Sequence, residues 1–183
     1  MPTNEELDAL KISYNPNSVA GKIIAEASKY VDILEIKDNQ GWQNNDAFTN
    51  KMKAIGWQKG YAYCAAFVRM VMQQITSGAA KDFFKANITL GAKDSWNRLS
   101  AKKNDYCEVI QKPESGCLVC YDGHIEFCKN VLDNGFLECV SANSMAKDAQ
   151  GNDIEGVFLK KRKAASALGS EPFLGYIRIL KLD

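Results

Sequence analysis

The hydrophobic pattern of this chain changes its period near residue 107, and this change limits the folds that the chain can adopt. Before that point apolar residues recur at helical spacing, as in VAGKIIAEASKYVDIL, which follows the possible capping residues Asn17 and Ser18. After it, short β runs are separated by Gly, Asp and Asn. Helices followed by strands predict an α+β fold, with N-terminal helices packed on a C-terminal antiparallel β-sheet.

The two parts of the chain contain further candidate helices and strands. The other helix candidates are DAFTNKMKAIG, closed by Gly56, a helix that begins near Cys64, AAKDFFKAN and DSWNRLSAKKN. The strand candidates are CLVCY (117–121), HIEFCKNVL (124–132), FLECVSA (136–142), GVFLKK (156–161) and FLGYIRILKL (173–182). The turn DNG at 133–135 lies between two alternating runs and predicts a hairpin.

Size and charge favour one globular domain without a nucleic-acid or membrane partner. A chain of 183 residues suits a single domain, which we expect over residues 17–183 after a polar N-terminal extension over residues 1–16. The formal net charge of +1 gives no electrostatic reason to expect nucleic acid or an anionic membrane as a partner. The most basic run, LKKRK at 159–163, is short and predicts a solvated turn or strand end.

The sequence has neither a long apolar segment nor the apolar core of a signal peptide. No segment approaches the roughly 20 apolar residues of a membrane span. The start, MPTNEELDALK, is acidic and polar. We therefore expect the protein to be made in the cytoplasm without a signal peptide. In that setting the six cysteines are expected to be reduced thiols.

Cys64 is expected at the first turn of an amphipathic helix, in the stretch GYAYCAAFVRMVM. The apolar face that follows it at helical spacing consists of Phe67, Val68, Val71, Met72 and Ile75. A thiol at a helix N-terminus lies near unpaired backbone N–H groups and the positive end of the helix dipole, which favour the thiolate. The same N–H groups can stabilise a tetrahedral oxyanion. From this stretch alone the alternative is a small residue packed in the core, where free cysteines are often found.

His124 is the single histidine of the chain and opens a predicted strand, so no other imidazole can take the proton of Cys64. Strand alternation places His124 and Glu126 on one face. A third group is needed to orient the imidazole. Asn143, after the next strand, fits a Cys-His-Asn site, and Glu126 and Glu138 are its rivals. A structural histidine and a turn-forming asparagine are the alternatives.

A zinc-binding module is an alternative for the same region. The segment CLVCYDGHIEFC offers four possible zinc ligands, which are Cys117, Cys120, His124 and Cys128. Against this interpretation, Cys117 and Cys120 would face opposite ways in one strand, and no turn residue lies between them. We therefore expect neither a metal nor another cofactor.

Five motifs occur in a characteristic order: YCAAFV at a helix start, P-x-x-G before a strand, GHIEF, SANS after a hairpin, and a terminal FLGYIRI. Over roughly residues 20–180 this order resembles the CHAP and NlpC/P60-like cysteine amidohydrolases and peptidases. The resemblance is closest to phage-type peptidoglycan hydrolases, or endolysins, whose nucleophile motif reads WCAAFV. Three positions depart from the pattern: Tyr63 replaces the common Trp, Cys117 replaces a common Asp, and Glu126 stands where a small residue is frequent.

The resemblance implies a papain-like fold and a cell-wall hydrolase that cleaves amide or peptide bonds of peptidoglycan through a thioester. It implies Cys64 as the nucleophile, His124 as the base and Asn143 as the orienting residue. The implied partner is peptidoglycan or its peptide stems, and the protein is expected to act as a monomer. It would reach the wall after release through a holin-like pore, by secretion or by carriage on a phage particle.

Three questions stay open at the level of the sequence. Trp57, Tyr61, Tyr63 and Glu126 are candidates for substrate binding, although aromatic residues at such spacings are more often found in a core. A cysteine-dependent deamidase or acyltransferase effector on the same fold would use the same residues. A catalytically inactive binding domain is the remaining alternative.

Overall fold

The structure, a computed structural model, describes residues 15–101 and 103–183, and these residues form the α+β fold that the sequence predicts. In this part of the chain the helices are α1 (Val19–Ser28), α2 (Asp46–Ala54), α3 (Cys64–Ile75), α4 (Gly78–Asn87) and α5 (Ala92–Ser100). The strands are β1 (Glu35–Ile36), β2 (Gly41–Trp42), β3 (Cys107–Ile110), β4 (Leu118–Tyr121), β5 (Ile125–Leu132), β6 (Phe136–Lys147), β7 (Asp153–Lys163) and β8 (Phe173–Ile179). Most of the predicted N-terminal extension, residues 1–14, lies outside the described residues.

The first two helices begin at side-chain caps. Ser18 caps α1, because its Oγ accepts a hydrogen bond from the backbone N–H of Gly21 at 3.0 Å. Asn45 caps α2 in the same way, with its Oδ1 3.0 Å from the backbone nitrogen of Phe48. The predicted stop at Gly56 is confirmed, since α2 ends at Ala54 and Gly56 has a φ of 98°.

The main sheet is antiparallel throughout and has the strand order β3-β8-β4-β5-β6-β7. The predicted hairpin at 133–135 is confirmed, because the segment Asp133–Gly135 joins β5 to β6. Asn134 and Gly135 have φ angles of 63° and 74°, which are conformations that these two residue types tolerate best. The hairpin aligns the start of β5 with the later part of β6.

Two parts of the sheet architecture differ from the expectation. Strand β3 and the hairpin β1–β2 were not predicted, because segments of two to four residues are too short to show a period. Strands β6 and β7 are longer than expected, since their pairing resumes after an irregularity between Ser141 and Ser144. This β-bulge reorients the end of β6 beside the candidate site.

Helix α3 is the central helix of the fold, and it is more deeply buried than one amphipathic face requires. Phe67, Val68, Val71 and Met72 are buried as predicted, and so are the alanines at 65 and 66 and Met70. The helix is enclosed because it contacts α1, α2, α4 and α5 as well as β5 and β6. The core therefore holds the N-terminus of α3 firmly against the sheet.

The sheet buries both of its faces. Ile125 and Phe127 of β5 pack in the main core with the helices, whereas Cys128 packs in a second apolar cluster on the opposite face. The alternation predicted for β5 is therefore confirmed. The second cluster consists of Cys117, Val119, Tyr121, Cys128, Leu137, Cys139 and Tyr176, with Ala164, Leu168 and Phe173 packed against it. The six cysteines all lie in the described residues and carry free thiols.

Candidate active site

Cys64 is the first residue of α3 and its side chain lies at the junction of the helices with the sheet. The preceding residue, Tyr63, makes no side-chain cap for the helix, so the first N–H groups of α3 are available to the thiol. Burial raises the pKa of the Cys64 thiol. Contact with His124 and with the backbone N–H groups of Ile125 and Ala65 lowers it by more, so that the pKa lies below its ordinary value of 9.0.

His124 lies at the end of the tight β4–β5 turn, where its backbone oxygen accepts a hydrogen bond from the N–H of Tyr121 at 2.8 Å. The turn brings the Gly123 carbonyl oxygen to 3.9 Å from Cys64 Sγ. Burial lowers the pKa of His124, but its hydrogen bonds with Cys64 and Glu126 raise the pKa to about 9. A thiol with a lowered pKa beside an imidazole with a raised pKa favours a thiolate–imidazolium pair.

The Nε2 atom of His124 has two side-chain neighbours on the far face of the sheet. It lies 3.3 Å from Glu126 Oε2 and 3.0 Å from Ser141 Oγ. Because Nε2 is engaged by these groups, Nδ1 is the ring nitrogen left for the Cys64 thiol. The imidazole thus bridges the nucleophile on the helix side and polar groups on the other side of the sheet.

Glu126 is fully buried, and its carboxylate forms an ion pair with the guanidinium of Arg162 in addition to its contact with His124. Arg162 of β7 donates from Nε to Glu126 Oε1 at 2.9 Å and from Nη2 to Oε2 at 3.1 Å. Burial raises the pKa of Glu126, but hydrogen bonds from His124 and Arg162 lower it to about 2. The carboxylate is therefore ionised at neutral pH. Because it is buried, Glu126 does not line a substrate surface, which corrects the expectation that it binds substrate.

Two serines complete the polar network. Ser141 Oγ lies 2.6 Å from Ser144 Oγ and accepts a hydrogen bond from Arg162 Nη2 at 3.2 Å. Sequence reasoning missed both serines and Arg162. The run LKKRK was expected to be solvated, and it does end a strand, but the Arg162 side chain is only 13% exposed. Strand alternation along β7 was the sequence signal that could have separated Arg162 from its neighbours, because it places Arg162 on the same face as Lys160 and on the opposite face from Lys161 and Lys163.

The structure brings Cys64 and His124 together but does not bring the side chain of Asn143 into their hydrogen-bond network. Asn143 lies in the bulge of β6, has a φ of 56° and is partly exposed. In the described part of the chain, the side-chain partners of the imidazole besides Cys64 are Glu126 and Ser141. Glu138 is also separate, because it accepts a hydrogen bond from Asn130 at 2.9 Å.

Two of the aromatic candidates for substrate binding belong to the core. Trp57 and Tyr63 are at most 2% exposed, and their rings pack on Trp42 with centroid distances of 4.6 and 5.0 Å. They are therefore unavailable to a ligand at the surface, which corrects that expectation. Tyr61 is 51% exposed and remains accessible.

The four candidate zinc ligands do not converge. Cys117 and Cys128 lie in the second cluster, Cys120 lies in the main core, and His124 contacts Cys64. Within the described residues no group of three or more His, Cys, Asp or Glu side chains has the geometry to hold a metal ion. The zinc interpretation therefore lacks a site in this region.

Comparisons of the chain with protein-family models, with curated proteins and with solved structures found no match. The family resemblance remains a prediction from the motifs. Among the residues that the structure describes, none of the helices combines the length and apolarity needed to cross a membrane.

Proposed function

We propose that this chain is a cysteine amidohydrolase or peptidase with a papain-like arrangement, acting on amide bonds of peptidoglycan. The observation that carries the proposal is the position of Cys64 at a helix N-terminus, with Sγ 3.9 Å from the carbonyl oxygen of Gly123 next to His124, whose Nε2 lies near Glu126 and Ser141. A nucleophile, a base and a group that orients the base are the parts that thiol hydrolysis requires.

The chemistry follows from the charges of the pair. The Cys64 thiolate would attack the carbonyl carbon of the scissile amide, and the backbone N–H groups at the start of α3 would stabilise the oxyanion. His124 would then donate its Nδ1 proton to the leaving amine as the amide bond breaks. In the second step His124 would take a proton from water, which hydrolyses the thioester and releases Cys64.

The orienting role expected of Asn143 passes to Glu126 in this proposal. An ionised carboxylate at Nε2 stabilises the imidazolium electrostatically and fixes the ring by a charge-assisted hydrogen bond. Ser141 is a second neighbour of the same nitrogen at 3.0 Å. Both groups are fixed by Arg162, so the ring has a defined orientation before a substrate binds.

The substrate class comes from the motifs YCAAFV and GHIEF, which resemble those of cell-wall hydrolases. A wall substrate requires that the protein reach the wall by lysis, secretion or carriage on a phage particle. A holin-like pore or a secretion machine would then be its partner. The protein is proposed to act as a monomer.

The proposal is tested on purified peptidoglycan. We expect the wild-type protein to reduce the turbidity of a wall suspension and to release amino groups, and mass spectrometry of the fragments identifies the bond. Cys64→Ala removes the nucleophile and is expected to abolish both effects while the fold is retained.

Cys107→Ala is the matched control, because Cys107 is also buried but contacts Asn104 and Leu99, away from the site. Its activity should equal that of the wild type. Full activity of Cys64→Ala would refute the thiol mechanism. Release of ammonia from glutamine side chains without wall cleavage would instead identify a deamidase.

A further inference from the structure

We propose that Arg162 is a positioning residue, whose guanidinium holds the Glu126 carboxylate ionised and aligned so that it supports His124. This inference rests on the proposed thiol chemistry, and it goes beyond the proposed nucleophile, base and orienting groups. We assign this role to the contact with Glu126; Arg162 also contacts Ser141, the second side-chain neighbour of His124 Nε2.

Arg162 binds the Glu126 carboxylate through two hydrogen bonds, and we call this bidentate contact the clamp. In the sheet Arg162 pairs with Leu137 of β6, and its side chain crosses β6 to reach Glu126 on β5. Nε and Nη2 donate to the two different carboxylate oxygens, at 2.9 and 3.1 Å. Such a bidentate contact fixes the plane of a carboxylate as well as its charge. The oxygen held by Nη2, Oε2, is also the atom that faces His124.

The buried Glu126 carboxylate needs positive charges beside it, and Arg162 supplies one of them. At a pH at which the Cys64 thiol is ionised, thiolate, imidazolium, carboxylate and guanidinium follow one another from Cys64 through His124 and Glu126 to Arg162. A carboxylate with no exposed surface is strongly disfavoured as an ion unless cations face it. His124 supplies a positive charge only while it is protonated, whereas a guanidinium keeps its charge at every relevant pH.

Other ionisable groups near Glu126 do not replace Arg162. They are Cys120 and Tyr121 of β4, Cys128 of β5, Cys139 of β6 and Lys160 of β7. The tyrosine and the three thiols have raised pKa values and stay neutral at neutral pH. Lys160 donates to the carbonyl oxygen of Met145 at 2.6 Å, so its ammonium is directed elsewhere.

Loss of Arg162 has an expected direction. Burial would raise the pKa of Glu126 without the opposing guanidinium, and Glu126 would take up a proton in mildly acidic solution. The imidazolium would then lose its anionic neighbour, the pKa of His124 would fall and that of Cys64 would rise. The thiolate would therefore disappear at a higher pH than in the wild type.

The experiment measures the rate at which iodoacetamide alkylates Cys64 as a function of pH, with the labelled peptide identified by mass spectrometry. Because the pKa of each of the other five thiols is raised by burial, by neighbouring thiols or by both, Cys64 is expected to react first. In Arg162→Gln we expect the midpoint of the acid limb to rise by on the order of one pH unit, which slows labelling about fivefold at the wild-type midpoint.

Lys160→Gln is the matched control, because it removes a positive charge from the same side of the same strand, and Lys160 donates to the carbonyl oxygen of Met145 and not to Glu126. It should shift the midpoint by much less than Arg162→Gln, since only a through-space interaction with Glu126 is lost. Arg162→Lys keeps the positive charge but loses the two-donor geometry of the guanidinium. We expect its midpoint to lie between those of the wild type and Arg162→Gln. Equal shifts in Arg162→Gln and Lys160→Gln, or no shift in Arg162→Gln, would overturn the proposal.

Arg162→Gln leaves the buried Glu126 carboxylate without its cation, and this variant alone could fail to fold. A comparison with Glu126→Gln covers that case. The double variant Glu126→Gln/Arg162→Gln removes both charges. If Arg162 acts through Glu126, its profile coincides with that of Glu126→Gln. A further shift in the double variant would contradict a role through Glu126.

The readout separates this inference from the proposed function, because alkylation needs no substrate. An Arg162-dependent midpoint in a protein that cleaves no wall preparation would support the clamp and refute the hydrolase. Cleavage by the wild type together with a midpoint independent of Arg162 would support the hydrolase and refute the clamp.

Discussion

Cys64 and His124 each shift the pKa of the other. The pKa of Cys64 is lowered despite burial, and that of His124 is raised to about 9 despite burial. Each residue is a cause of the other's shift, together with backbone N–H groups for Cys64 and Glu126 for His124, so the two groups titrate as a pair. The pH dependence of activity therefore reports on the pair rather than on one side chain.

We predict a bell-shaped dependence of kcat/KM on pH. The acid limb marks formation of the Cys64 thiolate and lies below the ordinary thiol pKa of 9.0. The alkaline limb lies near pH 9, where His124 loses the proton that the leaving amine needs. Alkylation of Cys64 by iodoacetamide is the control, since it requires only the thiolate and should not decline on the alkaline side. A decline in both rates would contradict the assignment of the alkaline limb to His124.

Glu126 and Asn143 can be distinguished as orienting residues by two variants. Glu126→Gln keeps the shape of the side chain but removes its charge, and we expect kcat to fall on the order of 100-fold as the imidazolium loses its support. Asn143→Gly accepts the φ of 56° and removes only the side chain, so kcat should remain close to the wild-type value. The opposite ranking of these two variants in steady-state kinetics would restore the Cys-His-Asn assignment.

At the scale of residues, the sequence predicts that Cys64 and His124 belong to one site, but not which polar groups surround the imidazole. Cys64 and His124 follow from residue type and position, since the chain has one histidine and a cysteine at a helix start. Alternation also places Glu126 on the face of His124. The sequence does not reveal the bulge between Ser141 and Ser144, in which Asn143 lies, nor that Ser141 is a neighbour of the imidazole.

At the scale of elements, α3 connects the site to the core. Phe67 lies one helical turn after Cys64, and Phe127 lies in β5, the strand that follows His124. The rings of Phe67 and Phe127 pack against each other with a centroid distance of 6.2 Å. The helical period of this segment is readable from the sequence. The burial of the helix on most sides is not readable from the sequence. The alanines at 65 and 66 lie outside the predicted apolar face, and they are buried only because other helices also pack against α3.

Phe67→Ala tests this connection. Removing a fully buried ring from the helix–sheet contact is expected to reduce the free energy of unfolding by about 3–5 kcal/mol. Gln74→Ala changes an exposed residue of the same helix and should alter it by no more than about 0.5 kcal/mol. Urea denaturation followed by circular dichroism measures both. Similar values for the two variants would show that α3 is not anchored through this ring.

At the scale of the whole molecule, the change of period near residue 107 predicts the division into helices and sheet. It does not predict the second apolar cluster, because the residues that form it come from several strands and a loop far apart in the sequence. That cluster buries the far face of the sheet, on which Glu126, Ser141 and Arg162 lie. The low exposure of these polar groups is therefore a property of the complete fold and not of one segment.

The position of the candidate site at the junction of the two layers has a consequence for biosynthesis. Cys64 leaves the ribosome before His124 has been translated, and it stays an ordinary thiol until the sheet forms and docks on α3. Its activation therefore requires the second half of the chain, including β7, which contributes Arg162. A truncated or stalled product that ends before β7 would carry Cys64, His124 and Glu126 without the guanidinium that pairs with Glu126.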